Sequence, residues 1–150
     1  METAPKPQSY RIMGMIAGAL WLASLFTTVS HDMKGWFVLK YGWIAPLAGL
    51  MASHDSPFAE FGCFAWYANI PLIIFVIILL SGRRVDFWIS TIILCLALTG
   101  LAPIPFKDVE IDGHVTWEYL RGPAVWLWLS SFAVVWAVAL YAKKDSGVSQ

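Results

Sequence analysis

The hydrophobic residues of this chain fall into four long blocks parted by shorter polar stretches, and the block from Phe64 to Gly82 organises the rest. Its nineteen residues carry no formal charge and are followed directly by Arg83 and Arg84. At a helical rise of ~1.5 Å per residue, such a block covers close to the ~30 Å of a bilayer's hydrocarbon core. In water the β-branched run from Ile73 to Ile78 would be a poor helix former. In lipid every backbone group must be bonded within its own segment, so the pattern predicts a transmembrane helix. Corresponding blocks over 12–29, 87–104 and 124–142 predict three more. Pro103 and Pro105 end the third, and Pro123 opens the fourth where its missing N–H costs nothing.

The stretches between the blocks carry patterns of their own. Residues 1–10 are polar, hold Pro5 and Pro7, and read as a disordered tail. The first block exceeds the ~7–15 apolar residues of a cleaved signal peptide and no A-x-A-like site follows it, so it reads as a retained helix. The apolar piece over 41–52 is too short and too broken by Gly42, Pro46 and Gly49 to cross a bilayer. It reads as a short interfacial or re-entrant helix anchored by Trp36, Tyr41 and Trp43. Over 106–119, apolar and polar residues alternate around Asp112-Gly113, a hairpin signal. A three-residue loop would pair Ile111 with Val115 and Val109 with Trp117, giving one apolar face, and that register is expected over the two-residue alternative that pairs Ile111 with His114.

The fold class expected from these patterns is all-α integral membrane: a four-transmembrane-helix bundle, in one domain, with an interfacial helix in the first outer loop and a β-hairpin in the second. Composition strengthens it. Of 150 residues 59% are hydrophobic and 13% charged, more apolar surface than a soluble domain of this size can bury. Nine tryptophans suit the headgroup level. Zero net charge without a clustered basic face excludes a nucleic-acid partner. Lys6, Arg11, Arg83, Arg84, Lys143 and Lys144 crowd beside helix ends on one side, against Lys34, Lys40, Lys107 and Arg121 in the longer loops on the other. This predicts both termini in the cytoplasm of a bacterial inner membrane. Cys63 and Cys95 fall at unmatched depths, so no disulfide is expected.

Lipid tails are as apolar as leucine, so helices in a bilayer associate through small residues and interhelical hydrogen bonds. Candidate packing positions are Gly14 and Gly18 in a G-x-x-x-G pair, Thr91 and Thr99 flanking Cys95, and Ala133 and Ala137 following Ser130. Asn69 and Pro71 are the odd residues of the organising block. Pro71 is expected to kink the helix by freeing the Tyr67 carbonyl, and Asn69 to hydrogen-bond across helices. The blocks hold no Asp, Glu, Lys, Arg or His, which counts against a proton relay, an ion-coupled pump or a voltage sensor.

All three histidines fall on the outer side in this topology, two of them in repeated Ser-His-Asp triplets. His31, His54, His114, Asp32 and Asp55 are therefore candidate ligands for a divalent metal of the zinc or copper kind. Polar caps and interface anchors at helix ends explain the same residues without a metal. Nucleophile-elbow, phosphate-loop, CxxC and haem motifs are missing, and no cofactor is implied.

The stretch from Cys63 to Leu72, with Gly122-Pro123 and Trp126-Leu-Trp128-Leu129, resembles small, uncharacterised bacterial inner-membrane proteins with four spans. In those, an aromatic-Ala-Asn-Pro-Leu run opens the second span and a Gly-Pro plus Trp-Leu run the last. The resemblance implies an architecture rather than an activity. The function expected is contact with another protein inside the bilayer, as an accessory subunit of a membrane complex or as an immunity protein against a membrane-active, pore-forming toxin. A metal-binding or redox protein facing the periplasm and a small transporter with a polar cavity reaching Asn69 are the alternatives.

Overall fold

A computed structural model describes residues 7–29, 34–41, 43, 65–101, 110–111, 114–115 and 122–147. The described chain is mostly helical. Helix α1 (Pro7–Phe26) leads through a bend to the short α2 (Gly35–Tyr41). A 3-10 turn (Ala65–Ala68) runs into α3 (Asn69–Leu80), and α4 (Phe87–Leu98) ends in a second 3-10 turn (Thr99–Leu101). A two-residue ladder joins β1 (Glu110–Ile111) to β2 (His114–Val115), and α5 (Pro123–Gly147) closes the chain.

Four crossings are expected from the sequence; among the described residues two helices, Pro7–Phe26 and Pro123–Lys144, are long and apolar enough to cross a membrane. The segments Ala65–Leu80 and Phe87–Leu101 are apolar but shorter. The first helix also lies nearer the N-terminus than the block over 12–29 suggests. Pro7 suits a first turn whose N–H groups have no intrahelical partner, and Tyr10, assigned to a tail, is buried. At the other end α1 stops at Phe26 because the next carbonyls have other partners. Thr27 O accepts the Gly35 N–H at 3.0 Å and Thr28 O the Ala124 N–H at 3.2 Å, so the end of α1 receives the starts of α2 and α5. Both arrivals need glycine: a Cβ on Gly35 would run into the Ser24 carbonyl, and one on Gly122 into those of Thr28 and Val29.

Helix in the first connection is found over Gly35–Tyr41, ahead of the expected 41–52; of that segment only Tyr41 and Trp43 belong to the described residues. The ladder pairs Ile111 with His114 and Glu110 with Val115, the two-residue-loop register and not the expected one. The preference of Asp-Gly for a two-residue connection outweighs the gain of one apolar face. The rest of 106–119 lies outside the described residues, so the longer hairpin is not part of this fold.

Between α3 and α4 the backbone turns tightly. Gly82, at φ 75°, donates to Leu79 O at 2.8 Å and Arg83 N–H donates to Ile78 O at 3.1 Å, the paired bonds that close a helix on a left-handed glycine. Asp86 then caps α4, one carboxylate oxygen accepting the Ile89 N–H at 2.9 Å. Helix α1 packs against α3 on one flank and α5 on the other, and α5 carries α4. Consecutive long elements run antiparallel: Gly14 faces Leu79, Thr28 meets Ala124, and Trp136 reaches back to Phe87 and Thr91. The core is formed by Ala17, Leu72, Phe75, Leu79, Phe132 and Val135.

Candidate functional site

The polar centre of the fold sits where the 3-10 turn becomes α3. Asn69 is 6% exposed, and its amide touches three elements. Its Nδ2 donates to Trp66 O at 2.7 Å, tightening the turn it follows. Its Oδ1 accepts two indole N–H groups, from Trp21 of α1 at 3.0 Å and from Trp128 of α5 at 2.8 Å. An amide oxygen has two lone pairs, so this acceptor is saturated by the two helices that flank it. The aromatic residues around it extend the network outward. Trp66 Nε1 donates to Leu39 O at 2.9 Å and the Tyr67 hydroxyl to Trp43 O at 3.0 Å, fastening the first connection to the 3-10 turn. Trp128 also stacks edge-on against Phe132, with ring centroids 5.0 Å apart.

Pro71 is not the kink the sequence suggests. The change from 3-10 to α geometry falls at Asn69, two residues earlier, which puts Pro71 in the first turn of α3. A missing N–H is harmless there. The irregularity thus lies in the tight turn ahead of the proline, held by the Asn69 side chain.

The other buried polar side chains among the described residues bond within their own helices. Ser24 donates to Trp21 O (2.6 Å), Ser90 to Phe87 O (2.8 Å) and Ser131 to Trp128 O (2.6 Å). Thr91 donates to Phe87 O at 2.8 Å and accepts the Trp136 indole N–H at 3.0 Å, a second bond between helices. Thr99 bonds locally to Leu96 O.

The small residues singled out from the sequence divide. A Cβ on Gly14 would lie 2.9 Å from the Leu79 Cβ and one on Gly18 3.3 Å from Val76 Cγ1, so this pair is where α1 and α3 meet. Ala133 and Ala137, with Ser130, are exposed instead. The side that α5 turns inward is bulkier, through Leu129, Phe132, Val135 and Ala139, because α1 and α4 flank it at side-chain rather than backbone distance. No sequence signal marked Trp21 or Trp128 as partners of Asn69; tryptophan in such a chain reads first as an interface anchor.

His31, Asp32, His54 and Asp55 lie outside the described residues, and of His114 only the backbone, in β2, is described. Among the described residues no group of three or more His, Cys, Asp or Glu could hold a metal ion. Cys95 is a free, exposed thiol. Compared with protein families, with curated proteins and with solved structures, the chain matches none.

Proposed function

We propose that this chain is a four-span integral protein of a bacterial inner membrane that works by contact with another membrane protein, as an accessory subunit or as an immunity protein against a pore-forming toxin. The observation that carries the reading is the distribution of exposed side chains. Ile92 is 67% exposed, Trp88 64%, Ile77 57% and Met15 56%, with Ile70, Ile74, Ile89 and Leu22 also open, spread over three helices. In water such a surface would far exceed the few hundred Å² of apolar patch a monomer tolerates; in lipid it is the ordinary outside of a bundle. The interior fits the same solvent, since its polar groups are bonded to one another rather than to water.

The two shorter segments belong to the same reading. Taking ~2.0 Å per residue in the 3-10 turn and ~1.5 Å in α3, Ala65–Leu80 reaches ~26 Å, a mismatch that local thinning of the bilayer absorbs. Arg83 and Arg84 at its far end, with Lys143 and Lys144, favour that end as the cytoplasmic one. For the partner, Ser130, Ala133 and Ala137 offer an exposed small-residue stripe on α5 against which another transmembrane helix can pack closely.

Tagged protein extracted in mild detergent tests both parts. The membrane part requires that the protein stay in the pellet through alkaline carbonate. The contact part requires a stoichiometric membrane partner that is lost on Ala133→Leu with Ala137→Leu while the chain itself remains folded. Isolation as a lone, monodisperse chain under the gentlest extraction would overturn the subunit version.

A further inference from the structure

Between α1 and α3 runs an open groove of about 380 Å³. Its walls include Met15, Gly18 and Leu22 on one helix and Ile73, Ile77 and Leu80 on the other, and none of its lining residues is charged. The groove exists because glycine stands at 14 and 18, leaving the backbone of α1 low against α3 while the longer side chains on either side form the banks. A water molecule's share of liquid volume is ~30 Å³ and a methylene is of similar size, so the space takes about a dozen methylenes, one acyl chain's worth.

The chemistry at one end of the groove narrows the occupant. Arg11 is four residues before Met15 and seven before Gly18, which puts it on the groove face of α1. Its guanidinium lies over the turn that closes α3: a Cβ on Gly82 would be 3.4 Å from Arg11 Nε. Arg83 and Arg84 follow in that same turn, both exposed. Among the described residues no carboxylate pairs with any of the three arginines. The nearest acid in sequence, Asp86, gives one oxygen to the Ile89 N–H, and Lys143, on the neighbouring helix end, lies over the Phe87 and Trp88 rings. Three uncompensated cations at the mouth of a wholly apolar slot complement a molecule that is anionic at one end and hydrocarbon beyond it.

We infer that the groove between α1 and α3 seats one acyl chain of an anionic phospholipid whose phosphate rests on Arg11, Arg83 and Arg84. The inference rests on the membrane reading above. Basic pockets between helices at the membrane surface recognise lipid headgroups in this way, and each nearby cation strengthens the attraction several-fold.

The test is a titration of the full chain, purified in mild detergent, with phosphatidylglycerol or with phosphatidylcholine, counting bound lipid by native mass spectrometry. One phosphatidylglycerol per chain is expected, held about tenfold or more tightly than phosphatidylcholine. Arg11→Gln with Arg83→Gln and Arg84→Gln should erase the preference, and Met15→Trp, at an exposed position on the groove wall, should weaken both lipids. Equal binding of the two lipids, a preference that survives the triple substitution, or displacement of the lipid by millimolar inorganic phosphate would overturn the site. Release of the protein by alkaline carbonate would defeat the membrane reading and the site together; a carbonate-resistant chain without lipid preference defeats the site alone.

Discussion

Asn69 holds the fold's most connected polar atom, and its replacement should show what two indole bonds contribute in an apolar surround. Asn69→Leu keeps the volume but leaves the Trp21 and Trp128 N–H groups without an acceptor. Membrane hydrogen bonds average well under 2 kcal/mol each, and orphaned buried donors cost about 1–3 kcal/mol, so a total loss of about 2 kcal/mol is expected in detergent unfolding. Trp21→Phe should cost less, since Trp128 still occupies the acceptor, and adding Asn69→Leu to a Trp21→Phe/Trp128→Phe background should cost almost nothing further. Additive losses would show that the node is not one unit. Tyr10 is the contrasting residue. Its hydroxyl is buried without a hydrogen-bond partner among the described residues, so Tyr10→Phe should change stability by less than about 0.5 kcal/mol or raise it. Asn69 was conspicuous in the sequence because an amide is costly in hydrocarbon. Its donors were not, because nothing in a linear pattern separates a tryptophan at the headgroups from one turned inward.

At the scale of elements, contact between α1 and α3 depends on one glycine more than on the other. A Cβ at 14 would meet both the Leu79 Cβ at 2.9 Å and the Leu80 backbone N at 3.0 Å, neither of which can rotate away. Gly14→Ala should therefore cost about 1–3 kcal/mol, whereas Gly18→Ala meets only a valine methyl at 3.3 Å and should stay under about 1 kcal/mol. Thermal aggregation of the two variants in detergent would rank them, and equal effects would show that the helices part freely. The same elements show what a sequence discloses and withholds. The tight turn after α3 was legible because Gly82 and Asp86 carry specific closing and capping chemistry. The ends of α1 were not, because its boundary at Phe26 is set by carbonyls that α2 and α5 claim from elsewhere in the chain. The ladder register was missed for the opposite reason: a long-range face argument was weighed above the local preference of Asp-Gly.

For the molecule as a whole, the decisive quantity is what solvent lies against the exposed hydrophobic side chains, and Cys95 is a built-in reporter of it. The thiol is exposed on α4, on the flank that also bears Ile92 and Leu98. If water covered this surface, a charged maleimide would find the thiol at once. Covered by hydrocarbon, the thiol stays neutral and out of reach, since the thiolate is the nucleophile and a low dielectric disfavours it. In a Cys63→Ser background, Cys95 should resist a membrane-impermeant maleimide in intact membranes and label fully once the membrane is dissolved in SDS. Ser81→Cys, exposed at the end of α3 beside the arginine turn, supplies the internal comparison when Cys95 is also replaced by serine. It should label in inverted inner-membrane vesicles and not in intact cells, because the cations of that turn hold it on the cytoplasmic side. Rapid labelling of Cys95 in sealed membranes would place water, not lipid, against α4. Labelling of Ser81→Cys from outside the cell would reverse the orientation while leaving the Asn69 node, the glycine contact and the lipid groove as they stand.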